Sequence, residues 1–112
     1  MPNIAFQTIN WDKIEKTNHP GETGTATWQA IQIGGLRIRK VIYSENYLAD
    51  HWCQKGHIVH CLKGHIISEM ESGEEKYLSE GMSYVVSDNA SSHRSISVNG
   101  AELLIIDGDF LQ

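Results

Sequence analysis

Along this chain apolar and β-branched residues alternate with polar ones in short runs, and turn-forming residues interrupt the runs at intervals of about ten. An alternation of period two marks strands with one buried face, whereas the spacing of an amphipathic helix is nearly absent. Residues 25–33 and 36–43 flank Gly34-Gly35, a pair suited to a tight hairpin because glycine reaches positive φ without a Cβ clash. Residues 57–62 and 65–70 are separated by Lys63-Gly64. Ser72-Gly73 leads into 74–78, and Glu80-Gly81 into 83–87. A last pair, 93–98 and 101–106, surrounds Asn99-Gly100, the strongest short-range hairpin dipeptide. The pattern predicts an all-β fold, an antiparallel sandwich or barrel. Residues 1–24 read differently, as an irregular segment with a possible edge strand and one possible helical turn before His19-Pro20-Gly21.

At 112 residues the chain suffices for one hydrophobic core and not for two, so residues 1–112 are read as a single domain. An apolar fraction of 40% against 21% charged is a globular composition, which sets aside disordered and fibrous classes. The net charge of −5 repels phosphate backbones and anionic lipid, so neither nucleic acid nor a membrane is an expected partner. No apolar run approaches the roughly 18 residues of a membrane span, and MPNIAFQTINW lacks the basic-then-apolar order of a secretory signal. The expected location is cytoplasmic. With only Cys53 and Cys61 present, at most one disulfide is conceivable, and in a reducing compartment both thiols remain available to a metal.

The stretch ADHWCQKGHIVHCLKG concentrates the chemistry. If 51–53 is a strand, His51 and Cys53 point to one face and Trp52 to the other. Gln54-Lys55-Gly56 is long enough to reverse the chain, so His57 at the start of the next strand can lie across from that pair, and His93 opens another strand after a polar loop. Imidazole and thiolate suit zinc, iron, nickel or copper, whereas calcium and magnesium prefer oxygen. An isolated histidine is more often a surface or hydrogen-bonded residue than a ligand; the weight lies in four residues falling on one template.

That template resembles the two motifs of the cupin superfamily. His51-x-Cys53, three residues, His57, six residues and Gly64 follow the first motif in spacing, with Cys53 in place of its second histidine and His57 in place of its glutamate. Gly81 and His93 resemble the ends of the second motif with one residue inserted, while SDNASSH lacks that motif's proline and second glycine and Ser97 stands where asparagine is usual. The resemblance covers about residues 45–107 and is similar to a small cupin branch labelled by a DHCW-type motif, although this chain reads Asp50-His51-Trp52-Cys53. It implies a single-domain jelly-roll barrel (a double-stranded β-helix) and one divalent transition metal held by His51, Cys53, His57 and His93. It further implies a small-molecule ligand, a metal-dependent enzyme of oxygenase or isomerase type, and a homodimer. A non-catalytic ligand-binding cupin and a zinc site that only staples a small barrel stay open as alternatives.

Other residues carry smaller expectations. His60 lies three positions beyond His57 and so points to the opposite face, while Cys61 shares the His57 face and reads as a buried structural thiol. His19 and His65 stand beside turn signals and read as solvated, and Asp50 is a candidate acceptor for a ligand imidazole or a plain exposed carboxylate. Arg37 and Arg39 share one face of their strand. A guanidinium turned inward there would bind a carboxylate, which makes Arg39 a candidate substrate-binding residue against the alternative of a solvated face. Tyr84 is a second such candidate, although it, like Trp28 and Trp52, reads more readily as a core or interface residue. No paired catalytic carboxylates, nucleophile elbow or phosphate loop occur, so hydrolase and kinase readings have no support.

Overall fold

A computed structural model describes residues 3–111. Seven strands follow in order: β1 (Thr17–Pro20), β2 (Thr25–Ile33), β3 (Leu36–Leu48), β4 (His57–Met70), β5 (Glu75–Ser79), β6 (Ser83–Val86) and β7 (His93–Gly108). Short 3-10 turns at Trp11–Lys13 and Asp109–Leu111 complete the elements. Every pairing is antiparallel, in the order β1-β2-β3-β7-β4-β5, with β6 paired to the first residues of β4. This is the all-β architecture the alternation predicts, in the jelly-roll form that the cupin resemblance implies.

Gly34-Gly35 makes the β2–β3 hairpin, with Ile33 opposite Leu36 and Gly34 at φ +56°. Two other glycine dipeptides behave differently from their sequence reading. Lys63-Gly64 and Asn99-Gly100 are not turns, since β4 and β7 each run straight through them. Gly64 (φ +74°) sits opposite Ala101, and a Cβ on it would lie 2.6 Å from the Gly100 carbonyl oxygen; Gly100 has φ +90°. The β4–β7 register shifts between Cys61 and Lys63 and again between Gly64 and Ile67. A left-handed residue inside a paired strand produces a bulge and a local bend rather than a reversal, and the pairing resumes beyond it. Both dipeptides therefore bend long strands where two separate hairpins were expected.

The core consists of alternate residues of the long strands: Val41 and Tyr43 on β3, Val59 and Cys61 on β4, Ala101, Leu103 and Ile105 on β7, joined by Ala26, Ile66 and Leu78. Each of these three rows continues in the same period of two but changes chemistry at one end. Val41 gives way to Arg39 and Arg37, Val59 to His57, and Ile105 to Asp107. Because inward-facing positions continue inward, this end of the barrel places polar groups where the remainder places hydrocarbon. Arg39 and Asp107 are 6% and 2% exposed.

Candidate metal centre

Two histidines of the polar end are set by strands. His57 is the first residue of β4 and is buried; the chain reaches it through Gly56, whose amide donates to Asp88 Oδ1 at 2.6 Å. A Cβ at Gly56 would stand 2.6 Å from the Asp88 nitrogen and the Val86 oxygen, so only glycine passes there undisturbed. His93 opens β7 and is also buried. Cys53 comes from outside the ladder. It is clamped to His93 by an isolated bridge, in which the Cys53 amide donates to the His93 carbonyl at 2.7 Å and the His93 amide returns a bond of 3.0 Å.

These three residues converge. Cys53 Sγ lies 3.3 Å from His57 Nε2, and one donor atom from each of Cys53, His57 and His93 falls within 4.8 Å of the others. Ligand lengths of about 2.0 Å to nitrogen and 2.3 Å to sulfur space tetrahedral donors by about 3.3–3.5 Å, so the group fits an ion after its wider separations close by up to about 1.5 Å. The His93 ring donates from Nδ1 to the Ser91 carbonyl at 2.8 Å, which leaves the Nε2 lone pair facing the group. Among the described residues that buried Nε2 has no hydrogen-bond partner. His57 Nδ1 stands 3.2 Å from Asp107 Oδ2, at ion-pair distance but off the alignment of a hydrogen bond, so the carboxylate orients the ring mainly through its charge.

Burial alone would raise the Cys53 thiol, but the imidazoles of His57 and His93 facing it favour the thiolate more strongly and bring it down to about 5. A thiol that ionises easily is the form that binds metal. The nearby Cys53 sulfur raises His93, against the opposing effect of burial. Asp107 is pushed up by burial and held down more strongly by Arg37, Arg39 and His57, so it remains a carboxylate.

His51 stands apart from the other three sequence-derived candidates. Residues 49–56 make no ladder beyond the bridge at Cys53, so the period of two that would have aligned His51 with Cys53 does not operate. The His51 side chain is 76% exposed at the rim of the cavity, and its Nδ1 pairs with Asp50 Oδ1 at 2.6 Å. His60 faces away and bonds Ser83 Oγ at 2.7 Å. Cys61 is buried in the core, and both cysteines are free thiols. His19 is not simply solvated, since its ring stacks on Trp28 at 3.8 Å between centroids, and His65 is half-buried within β4 rather than beside a turn.

The three donors line a cavity of about 400 Å³ whose walls include Trp28, Arg37, Arg39, Tyr43 and Tyr84. Arg39 turns inward rather than to solvent. Its Nη2 reaches Asp107 Oδ2 at 3.3 Å, and its guanidinium lies 4.4 Å from the centroid of Trp28, which thus forms part of the cavity wall rather than of the core alone. Trp52 is covered by Arg94 at 4.4 Å. Tyr84 meets His93 edge-on at 6.2 Å, and burial raises its phenol, as it does that of Tyr43. Sequence reasoning missed Asp107. The signal for it was present in the alternation Leu103, Ile105, Asp107, which carries a carboxylate inward.

No family model and no curated protein matches the chain. Among solved structures, ectoine synthase from P. lautus aligns over 92% of this chain and 78% of its own, with a TM-score of 0.73 at 13% identity. An RmlC-like cupin from Shewanella frigidimarina aligns over 94% and 92%, with a TM-score of 0.72 at 15% identity. A sugar phosphate isomerase of the cupin superfamily from Silicibacter pomeroyi aligns over 91% and 75%, with a TM-score of 0.70 at 12% identity. This chain has the cupin fold. At these identities the likeness concerns the barrel, and the chemistry must be argued from the residues.

Proposed function

We propose that this cupin holds one divalent transition metal through Cys53, His57 and His93, at the wall of a cavity that receives a small molecule. The observation carrying the reading is the buried, unpartnered Nε2 of His93 directed at a thiol and a second imidazole within 4.8 Å. A buried lone pair without a donor is costly, and a cation satisfies it. The donor set suits zinc, iron, nickel or copper.

Three protein donors beside a cavity leave room for an exchangeable ligand, which favours a working site over a closed structural one. When bound, the ion would supply Lewis acidity toward a ligand oxygen. The remaining work falls to the chain's own groups. Asp107 and the Ser91 carbonyl face the Nδ1 atoms of His57 and His93 and so keep each Nε2 free as a donor atom. Tyr43 and Tyr84 keep their phenolic protons and can donate hydrogen bonds into the cavity. Catalysis of oxygenase or isomerase type belongs to the same proposal, supported by enzymes such as ectoine synthase and a sugar phosphate isomerase having this fold. So does a homodimer, for which Tyr77, Met82 and Val85, exposed on and beside β5 and β6, offer apolar surface.

Elemental analysis after reconstitution under reducing conditions tests the reading. One metal per chain is expected, and a preparation that takes up none of the four metals would refute it. Sedimentation at micromolar concentration showing only a species near 12.6 kDa would exclude the dimer.

A further inference from the structure

A second set of side chains faces the same cavity and has no role in holding a metal. Trp28 on β2 is stacked by His19 and approached by Arg39 at 4.4 Å and Arg37 at 5.7 Å. Arg39 is 6% exposed, yet its acidic contact is the single long bond from Nη2 to Asp107 Oδ2 at 3.3 Å. Asp107 gives its better geometry to Arg37, with bonds of 3.1 Å from Nε and 2.9 Å from Nη2. Among the described residues Arg39 Nε has no partner and Nη1 makes no hydrogen bond.

The charge balance is uneven. Two guanidiniums share one carboxylate, which also faces His57. The other cations of the cavity are engaged elsewhere, Arg94 with Glu69 at 3.0 Å and Lys55 with Asp88 at 3.6 Å. A chain of net charge −5 thus keeps a surplus of cationic hydrogen-bond donors on a nearly buried side chain inside this cavity. Buried cations are stable when paired, so the surplus calls for an anion.

We infer that the cavity's ligand is a small carboxylate, anchored by the free Nη1 edge of Arg39 beside Trp28. The single free guanidinium edge matches one carboxylate, whereas a phosphate dianion would demand donors that Asp107 already occupies. A guanidinium edge fits a carboxylate closely. Arg39 and His57 touch the same oxygen of Asp107, so an anion on Arg39 lies close to the metal donors. Trp28 is a positioning residue that holds the guanidinium plane. This inference deepens the proposed function by naming a ligand class, and it depends on the cavity rather than on the ion.

The test uses benzoate as the probe, with benzamide as its neutral analogue and inorganic phosphate as the competing anion, on metal-free and zinc-loaded protein. Binding is followed by Trp fluorescence and by the NMR signals of the arginine Nε–H and indole N–H groups. Benzoate is expected to shift the Arg39 and Trp28 signals of wild-type protein, and benzamide is not. Arg39→Gln should weaken benzoate at least tenfold, with Arg39→Lys intermediate. Zinc titration of the same proteins reports the metal site separately, so benzoate binding without zinc uptake would sink the metal reading and leave this one standing. Absence of benzoate binding in both wild-type forms, equal binding of benzamide, or unchanged affinity in Arg39→Gln would overturn the inference. Phosphate displacing benzoate at lower concentration would overturn the choice of a monoanion.

Discussion

Replacing Asp107 by Asn removes one negative charge from the point where β3, β4 and β7 meet, with almost no change in volume. The carboxylate is 2% exposed and holds Arg37 bidentately, Arg39 at 3.3 Å and His57 at 3.2 Å. Removing one partner of a buried pair costs about 3–5 kcal/mol because the surviving charge is left desolvated and unpaired. The Arg37 side chain is 37% exposed and its share is screened, whereas that of Arg39, at 7%, is not. The lower end of the range, about 3 kcal/mol, is therefore expected. For a domain of this size that lowers Tm by roughly 10 °C. The pH dependence follows from the depressed Asp107 pKa. Its contribution is present above the unfolded carboxylate pKa, near 3.9, and is lost as pH falls through the lower folded value. Urea unfolding of metal-free protein, read by circular dichroism, should separate wild type from Asp107→Asn at pH 7 and bring them together as pH falls from the unfolded carboxylate value through the lower folded one. A difference under about 1 kcal/mol at pH 7 would refute the argument that Asp107 neutralises the arginine pair.

Cys53→Ser should weaken zinc binding at least tenfold, or about 1.4 kcal/mol, because a hydroxyl is a poor ligand. His51→Gln should change it by less than about threefold, since that ring is 76% exposed on Asp50; competitive titration with a chelator measures both. In metal-free protein at pH 7 iodoacetamide should alkylate Cys53 and spare Cys61, since the first is half-buried and ionises near 5 while the second is 0% exposed and raised by burial; peptide mapping reads the ratio. Gly64→Ala should destabilise by about 3 kcal/mol, combining positive φ with backbone overlap at Gly100. Gly73→Ala, at φ +98° in open space, should cost only about 1–2 kcal/mol, and equal losses in chemical denaturation would contradict the bulge assignment.

The alternation of apolar and polar residues carried the all-β architecture, the Gly34-Gly35 hairpin and the strand positions, because a half-buried strand imposes its period directly on the sequence. Glycine dipeptides were less informative. Positive φ serves a reversal and a bulge equally well, and whether β4 turns at Gly64 or bends there is decided by its pairing with Ala101, 37 residues further along the chain. That Cys53, His57 and His93 come together was legible from their residue types and spacing. His51 lies apart from them because the period of two does not extend into 49–56, where pairing is confined to one bridge. Arg39 and Asp107 followed the same rule that placed the core, read one step further along β3 and β7. What sequence could not supply was that the two side chains meet across the β3–β7 register, where Arg37 stands opposite Asp107.

X-ray absorption at the zinc edge of protein reconstituted with one equivalent of zinc tests the central claim most directly. The donor set predicts one sulfur at about 2.3 Å and two imidazole nitrogens at about 2.0 Å, with any further scatterer an exchangeable oxygen or nitrogen. A first shell without sulfur, or one unchanged in His93→Ala, would contradict the assignment of Cys53, His57 and His93 as the metal centre.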